Sequence, residues 1–495
     1  MRGAQKTIPD QGIMTDFGPV FHLLGLILMA LGLTMAAPVA LDFADGNANA
    51  FPFLQAMLET VLFGTFLAMA SRSEQPHPLT LRQAYLLTAG IWFVVPFFGA
   101  LPFIHGAPHA SLTNAYFEAV SGITTTGYSV FVSIDQLPRG VLLWRGMLNW
   151  LGGLGIAFVA MIFLPVMRIG GMRYFQTEGF DTLGKVLPRA RDIASSLLKV
   201  YSTLTALCFV VFTACGMPVL DALVNAFSSI ATGGFSTHDA SFAIWSPSAQ
   251  YAGTVFMMLG AMPYIRFFQM INGEPRALWS DSQVRAFVRW WAYACAMVVL
   301  YRLWHEDLPP ERIARETLFN LASIMTSTGF GMGPIEPWGA FPLVVAFIVG
   351  IVGGCTNSSS AALQVFRVQV VLSVLRAAIR QLHSPHRVVQ AMYDGKPLDD
   401  TTIGPLMQYV TAYILTLGAF SVLMSMDAGN DMTSALFAVW GALGNIGFAI
   451  GPMTRSGTMT EFSDASTWLL TLAMLLGRLG LLSIFVLVLP RFWRD

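Results

Sequence analysis

Ten long apolar stretches constrain this chain more than any other feature of its sequence. A helix needs about 20 mostly apolar residues to cross a hydrocarbon core about 30 Å thick. Stretches that meet this requirement lie at 18–41, 51–71, 83–104, 140–166, 196–216, 249–270, 285–304, 339–378, 405–426 and 466–490. The sequence therefore predicts an all-α polytopic membrane protein with ten spans, embedded in a lipid bilayer with both termini on one side.

The composition excludes several other classes of protein. Only 11% of the 495 residues are charged and 55% are hydrophobic, whereas a soluble domain is about 25% charged. The 28 basic and 28 acidic side chains balance, so no basic face for nucleic acid is expected. Four scattered cysteines form neither a disulfide framework nor a zinc motif. A soluble enzyme and a disordered protein are both excluded, and we expect the chain to bind no cofactor.

The first and eighth stretches each need a separate decision. Residues 36–40 (AAPVA) resemble a cleavage site, so a signal peptide is the alternative to a first span. We favour a span because Asp10 and Asp16 lie in the leader and the apolar stretch exceeds an ordinary signal core. The eighth stretch would reach about 60 Å as one helix. We therefore expect a break at Gly353-Gly354, which the polar residues 356–360 follow.

The distribution of lysine and arginine orients the chain. Most of the 28 basic residues fall in one set of loops, which includes both termini and the segments 167–195 and 376–404. Basic loops of a membrane protein stay in the cytoplasm. Both termini are therefore predicted to be cytoplasmic.

A motif of small polar residues, glycine and usually an aromatic residue occurs four times. We call these stretches glycine loops 1 to 4; they span residues 124–129 (TTTGYS), 231–236 (ATGGFS), 326–331 (TSTGFG) and 444–449 (GNIGFA). A short amphipathic segment precedes each, and helix-start residues stand before these segments at Ser111, Asp221, Pro310 and Asp431. At 10–14 residues, such helices are too short to span and are better interpreted as re-entrant. One such loop would be a polar loop tip, but four in equivalent positions indicate a repeat.

The repeat predicts a domain organisation of five parts. A two-helix unit covers residues 1–75, and four repeats of helix, re-entrant pore helix, filter loop and helix surround one pore. The repeats cover residues 76–175, 176–275, 276–400 (with the broken helix) and 401–495.

This arrangement suits a monovalent cation. Irregular backbone at membrane depth must line a cavity or be buried in protein, and rings of carbonyl oxygens can replace the hydration shell of a cation. Glycine allows consecutive carbonyls to point the same way because it has no Cβ. The partly negative C-terminus of each short helix also favours a cation. None of the four glycine loops contains a charged residue.

At these residues the sequence resembles the Trk/Ktr/HKT superfamily of potassium transporters. Longer matches to its bacterial TrkH branch are residues 114–123 (NAYFEAVSGI), 150–156 (WLGGLGI), 476–479 (LGRL) and 490–494 (PRFWR). The resemblance implies inward transport of K⁺ across the bacterial inner membrane through a pseudotetramer within one chain. It further implies a homodimer and regulation by a cytoplasmic, nucleotide-binding, TrkA-like ring.

The resemblance also implies which residues form the site. Glycine in all four loops implies a preference for potassium over sodium. The ion-coordinating backbone, mainly carbonyls, falls on Thr125, Thr126, Gly127, Thr232, Gly233, Gly234, Ser327, Thr328, Gly329, Asn445, Ile446 and Gly447. The broken eighth stretch resembles a gating loop beneath the filter, which implies a gate at Gly353, Gly354, Cys355, Ser358, Ser359, Ser360, Gln364 and Arg367.

The gate departs from the family pattern. Serine and alanine replace several glycines, and Gln364 stands where a lysine is expected. Arg367 matches an arginine of the family and is expected to face the pore and repel cations while the gate is shut. The alternative is an arginine at a helix edge that reaches the lipid headgroups.

Two arginines within apolar stretches are interpreted as structural. Arg478 lies mid-span, where a buried charge needs partners, and we expect it to bond to carbonyls behind a filter. Arg145 either braces the outer end of the first filter or repels cations at the mouth.

Three functions remain open from the sequence. A gated potassium pore driven by membrane potential is favoured over a symporter coupled to proton or sodium. Glu59 is the only acidic residue inside a presumed full span, and proton coupling usually needs a chain of such groups. A membrane-embedded enzyme is disfavoured because the sequence contains no HExxH or GxSxG motif.

Overall fold

The computed structural model describes residues 17–72, 79–158, 190–384, 386, 389–427, 429–454, 458–479, 487, 489 and 490. Most of this part of the chain is helical. The predicted all-α class is therefore confirmed. The fourth and tenth apolar stretches continue into residues 159–166 and 480–486, which lie outside the described residues.

The N-terminal part consists of three helices. They are α1 (Gly18–Thr34), α2 (Ala36–Ala44) and α3 (Ala50–Ala70). The first two form one helical run of 27 residues that is apolar enough to span a membrane. Helices α1 and α3 cross closely at two glycines, since a Cβ on Gly64 would stand 2.8 Å from the Gly25 carbonyl oxygen. Small residues at such crossings allow the two backbones to pack without clashes.

Four units follow, each with a helix, a short helix, a glycine loop and a further helix. The first contains α4 (Leu81–His105), α5 (Leu112–Ile123) and α6 (Arg139–Phe158). The second contains α7 (Ala190–Ala214), α8 (Val219–Ala231), α9 (Pro247–Gly260) and α10 (Tyr264–Ile271), after which α11 (Ala277–Ser280) leads to the third.

The third and fourth units follow the same order. The third contains α12 (Ser282–His305), α13 (Pro310–Met325), α14 (Ala340–Val352) and α15 (Val365–His383). An antiparallel hairpin of β1 (Met392–Tyr393) and β2 (Lys396–Pro397) leads to the fourth unit, which contains α16 (Asp400–Ser425), α17 (Met432–Leu443) and α18 (Asp464–Leu479).

Two apolar stretches are broken. The eighth is interrupted between Val352 and Val365, in agreement with its excessive length. The sixth differs from the sequence prediction of one span, because α9 and α10 meet at an angle of 93°. Pro263 precedes α10 and cannot donate a helical hydrogen bond, which accounts for the bend.

Within the described residues, six helices are long and apolar enough to cross a membrane, and the bent α9–α10 pair brings the number to seven. Three further helices are apolar but shorter than a membrane span: α8 (Val219–Ala231), α14 (Ala340–Val352) and α17 (Met432–Leu443).

The four units are packed in a closed cycle. Helix α8 packs on α6, α13 packs on α9, and α5 packs on α18. Helix α17 meets α14 through Trp440 and Phe347, whose ring centroids are 5.6 Å apart. Each short helix thus contacts the last part of the preceding unit, and the fourth unit contacts the first. This cycle brings the four glycine loops together.

Candidate functional site

The four short helices end with the same backbone geometry. Thr125, Thr232, Ser327 and Asn445 all adopt left-handed conformations, with φ between 47° and 58°. In glycine loop 1, the Thr126 N–H donates to Ser121 O and the Thr125 N–H donates to Gly122 O. The other three loops repeat this pair of bonds, which is the Schellman pattern at a helix C-terminus. A left-handed residue other than glycine costs about 1–2 kcal/mol, so the surrounding packing must hold all four turns in place.

The glycines of the four loops form a closed ring. Gly127, Gly234, Gly329 and Gly447 have φ of 89°, 76°, 93° and 69°. A Cβ on Gly127 would lie 2.6 Å from the Gly233 carbonyl oxygen, and one on Gly329 would lie 2.8 Å from that of Ile446. A Cβ on Gly234 would overlap the Thr328 carbonyl, and one on Gly447 would overlap that of Thr126. The contacts run from loop 1 to 2, 2 to 3, 3 to 4 and 4 to 1.

One carbonyl from every loop contributes to this ring. It belongs to the residue before the glycine, which is Thr126, Gly233, Thr328 or Ile446. The oxygen of Thr328 also lies 3.3 Å from a Cβ built on Gly127, so loops 1 and 3 approach across the ring. The four loops thus meet through uncharged backbone carbonyls. The structure thus brings the twelve predicted coordinating residues into one cluster, and every one of them has a positive φ or adjoins a residue that has one.

Side-chain bonds stiffen glycine loops 1 and 3. The hydroxyls of Thr124 and Thr126 are 2.7 Å apart, and those of Thr326 and Thr328 are 2.6 Å apart. Asn445 joins loop 4 to loop 1, since its Nδ2 donates to Thr126 Oγ1 over 2.9 Å and to Met474 O over 3.0 Å.

Glu118 is a buried acidic residue beside glycine loop 1 that the sequence analysis did not single out. Its side chain is completely buried and accepts hydrogen bonds from the Val130 N–H and from the hydroxyl of Ser129. Asn320 does the same in the third unit, where its Oδ1 accepts from the Met332 N–H over 3.0 Å. Both residues stand nine positions before the glycine of their loop. This shared spacing was the sequence signal that could have identified both residues. The equivalent position in the fourth unit is Ala438, so the spacing does not form a regular motif.

Arg145 is buried and ties loops 1 and 2 together. Its Nε lies 2.8 Å from Glu118 Oε1, and its Nη1 donates to Ser236 O over 3.0 Å. The guanidinium also stands 4.1 Å above the ring of Phe235. A paired, buried guanidinium exerts little repulsion on ions in the mouth, so this geometry supports the bracing interpretation of Arg145.

The loop between α14 and α15, residues 353–364, lies against the glycine loops. We call it the break loop. Ser360 Oγ donates to Ser327 Oγ over 3.4 Å, which links the break loop directly to glycine loop 3. The predicted gate residues Gly353, Gly354, Cys355, Ser358, Ser359 and Ser360 are all buried, and Gln364 is half-buried.

The two glycines of the break loop are required by its close folding. Gly353 has φ of 74°, where a side chain would be strained. A Cβ on Gly354 would stand 2.6 Å from the side chain of Ser360, while its N–H donates to Ser360 Oγ over 3.0 Å. Ser358 Oγ in turn donates to Cys355 O over 2.6 Å.

Arg367 follows the break loop and is 5% exposed. Its Nη1 donates to Leu363 O over 2.9 Å and to Gln364 Oε1 over 3.1 Å. Its guanidinium stands 4.1 Å above the ring of Tyr409. The side chain is therefore packed inside the protein instead of reaching the lipid headgroups.

Arg478 binds a backbone carbonyl, as the sequence analysis expects. Its Nη2 donates to Ser359 O in the break loop. Gly477 is the residue that faces glycine loop 4, because a Cβ there would overlap Leu443 O and stand 3.0 Å from Asn445 Oδ1. Arg478 thus bonds to a carbonyl of the break loop, which itself contacts glycine loop 3.

The described residues contain no group of three or more His, Cys, Asp and Glu side chains that could hold a metal ion. The four cysteines are free thiols.

The comparisons with known proteins agree with this geometry. The sequence profile of TrkH, described as a cation transport protein, matches residues 50–494. This chain belongs to the TrkH family. The potassium uptake protein TrkI of Halomonas elongata is 34% identical to it over 97% of both chains. The TrkH of Salmonella typhimurium is 30% identical over 97% of this chain and 100% of its own.

A solved structure extends the similarity to three dimensions. The crystal structure of the potassium transporter TrkH from Vibrio parahaemolyticus superposes with a TM-score of 0.89 and 30% identity, and covers 97% of this TrkH family member and 100% of its own chain. The resemblance inferred from the glycine loops is thereby confirmed.

Proposed function

We propose that this protein takes up potassium through a gated, selective pore whose filter is the ring of four glycine loops. The observation that carries the proposal is the closure of that ring by one carbonyl from each loop, at Thr126, Gly233, Thr328 and Ile446. Rings of carbonyl oxygens replace the hydration shell of a monovalent cation. The relatives are named as potassium uptake proteins, which supports K⁺ as the transported ion.

The electrostatics of the ring favour a monovalent cation. The four short helices end at the ring, and a helix C-terminus carries a partial negative charge. The carboxylate of Glu118 is engaged by Arg145 and by Ser129. Attraction therefore comes from backbone dipoles, which suit an ion that must bind and also leave again.

The arrangement in the membrane is part of the same proposal. The chain crosses the bacterial inner membrane ten times with both termini in the cytoplasm, and α5, α8, α13 and α17 are re-entrant pore helices. The two-helix unit and the four pore repeats have the bounds 1–75, 76–175, 176–275, 276–400 and 401–495. Membrane potential drives entry of the ion.

The gate of this proposal is the break loop with Arg367. The loop is buried and bonded to glycine loop 3 through Ser360, so it obstructs the route beneath the ring. Regulation comes from a TrkA-like cytoplasmic ring that binds nucleotides, and the working form is a homodimer.

Arg367→Ala tests the gate. Loss of the bonds to Leu363 O and Gln364 frees the end of the break loop, so basal potassium flux should rise. Arg376→Ala, an exposed arginine on the same helix, is the matched control and should leave the flux unchanged. Equal flux in both variants would count against a gating role for Arg367.

A symporter coupled to proton or sodium is the second candidate. Glu59 Oε2 lies 3.0 Å from His105 Nε2, so the acidic residue within α3 has a titratable partner on α4. Such pairs occur in proton relays. Uptake against a potassium gradient when a proton or sodium gradient is imposed, and its loss in Glu59→Gln, would favour this candidate.

The main experiment is uptake of a potassium tracer into proteoliposomes that contain the purified protein. An inside-negative potential should drive uptake, excess sodium should compete weakly, and Gly127→Ser should reduce uptake and its selectivity. If flux is absent with the protein alone, the measurement is repeated with the cytoplasmic ring protein. Absence of flux in both conditions would refute the proposed function.

A further inference from the structure

The hydroxyl of Tyr264 joins three segments of the protein. It lies 3.1 Å from Ile230 O at the end of α8, 3.2 Å from Gly260 O at the end of α9, and 2.6 Å from Ser359 Oγ in the break loop. The side chain is completely buried. Ile230 stands two positions before Thr232, so this single hydroxyl connects the break loop to the helix that carries glycine loop 2.

The chemistry of these groups makes the two carbonyls the acceptors of the Tyr264 hydroxyl. Carbonyl oxygens only accept, so the one proton of the Tyr264 hydroxyl is donated to Ile230 O and Gly260 O. When Tyr264 donates to these carbonyls, Ser359 is the donor in the 2.6 Å bond between the two hydroxyls. Removal of the Tyr264 hydroxyl therefore leaves a donor on Ser359 and an acceptor on Ile230 without this partner in a buried place, which carries a free-energy penalty.

The bend between α9 and α10 supplies further bonds to the same loop. The Cys355 N–H donates to Ala261 O over 2.9 Å, and the Ser359 N–H donates to Gly260 O over 3.3 Å. In return, the Tyr264 N–H donates to Asn357 O over 3.1 Å. The bend of the second unit thus acts as a cradle for the break loop of the third.

We infer that Tyr264 is a positioning residue that latches the break loop shut through Ser359 and couples its release to the pore helix of glycine loop 2. The latch rests on the proposed function in so far as the break loop is the gate. When the break loop leaves the bend, the hydrogen bond between Ser359 and Tyr264 breaks. The hydrogen bonds of Cys355 and Asn357 to the bend break at the same time. The backbone of glycine loop 2 then loses one of its supports.

Exposure of Cys355 measures the latch without any need for transport. This thiol is buried in the closed loop. In a background with Cys208→Ala, Cys215→Ala and Cys295→Ala, the full-length protein in detergent is treated with a small methanethiosulfonate reagent. Tyr264→Phe should raise the rate of Cys355 modification about fivefold, the effect of one lost hydrogen bond. Tyr413→Phe is the matched control, because its buried hydroxyl has no hydrogen-bond partner in the described structure, and it should leave the rate unchanged.

A double variant separates a latch from general loosening. Ser359→Ala should raise the labelling rate by a similar factor, and the combination with Tyr264→Phe should add little, because both changes remove one shared bond. Additive effects, or an unchanged rate in Ser359→Ala, would overturn the latch. If Tyr264→Phe fails to fold, Ser359→Ala alone decides the question by the same rate.

Flux measurements keep the latch and the proposed function apart. Faster labelling of Cys355 together with raised basal potassium uptake supports both. Faster labelling without any potassium uptake in the wild type or the variants, both with and without the cytoplasmic ring protein, supports the latch and refutes the transport proposal. Unchanged labelling with normal uptake in the wild type overturns the latch alone.

Discussion

Asn445 Nδ2 donates to Thr126 Oγ1 over 2.9 Å, so the fourth glycine loop is tied to the first although 319 positions of sequence separate the two residues. The same amide donates to Met474 O on α18. The ring is therefore closed by a side chain as well as by backbone contact. Asn445 also holds a left-handed conformation, with φ of 47°, which asparagine tolerates better than most residues.

Asn445→Gly should weaken the discrimination between potassium and sodium. Glycine adopts the same backbone conformation freely, so the change removes the buried side chain with its two amide hydrogen bonds and leaves the left-handed turn unstrained. We expect selectivity to fall about five- to tenfold, as for one or two lost hydrogen bonds. Competition by sodium in the tracer uptake assay measures it.

Thr232→Gly is the comparison for that variant. Thr232 occupies the same left-handed position in loop 2, and its hydroxyl has no hydrogen-bond partner among the described residues. Its effect on selectivity should therefore be smaller than that of Asn445→Gly. Equal effects would show that the backbone, and not the amide, governs selectivity at this position.

Gly329→Ala should abolish selective uptake. Gly329 has φ of 93°, and a Cβ would stand 2.8 Å from Ile446 O and 3.0 Å from the Cα of Gly447. Backbone strain of this kind costs about 1–3 kcal/mol, and the displaced carbonyl belongs to the ring. Gly331→Ala in the same loop is the control, because its Cβ would meet no atom closer than 3.9 Å. Normal selectivity in Gly329→Ala would contradict the proposed position of the filter.

Glu118→Gln should destabilise the protein strongly. The change leaves the guanidinium of Arg145, which is 1% exposed, without its counter-charge. Removal of one partner from a buried ion pair costs about 3–5 kcal/mol, so the melting temperature in detergent should fall by many degrees. Asp45→Asn breaks the exposed pair with Arg139 and should cost about 0–1 kcal/mol. Similar melting temperatures for these two variants would mean that the buried ion pair of Glu118 and Arg145 contributes no more to stability than the exposed pair.

Asp427 should stabilise the protein in a pH-dependent way. Hydrogen bonds from Ser463 and Ser466 hold the pKa of this carboxyl below its usual range, and they join the segment after α16 to the start of α18. Because the folded-state pKa lies below the unfolded value of about 4, the stabilisation is complete above that pH and is lost as the pH falls through the folded-state value.

Melting curves as a function of pH check this expectation. Ser466→Ala should lower the melting temperature at pH 7, and its difference from the wild type should shrink as the pH falls below about 4. Glu461→Gln changes an exposed acidic residue nearby and should show no such trend. A constant difference for Ser466→Ala at every pH would assign the effect to packing instead of to the charge of Asp427.

The sequence by itself determined the class, the positions of the apolar helices and the break in the eighth apolar stretch. These features are local, because each depends on the residues of one segment. They are the length of each apolar stretch, the excess length of residues 339–378, and the small polar residues and glycine of the four loops. The bend before Tyr264 was missed, although Pro263 was a local signal for it. The repeat also led to the family, because its glycines recur in equivalent places.

Only the tertiary structure decided which groups meet. Glu118 and Arg145, Asn445 and Thr126, and Tyr264 and Ser359 come from different helices or loops. No local pattern records such a contact, since either residue alone is compatible with many environments. Arg478 illustrates this: its need for a buried acceptor was evident from its position in a span, but the acceptor is Ser359 O in the break loop. Ser359 belongs to the third unit and Arg478 to the fourth, so this contact exists only once the two units have packed together.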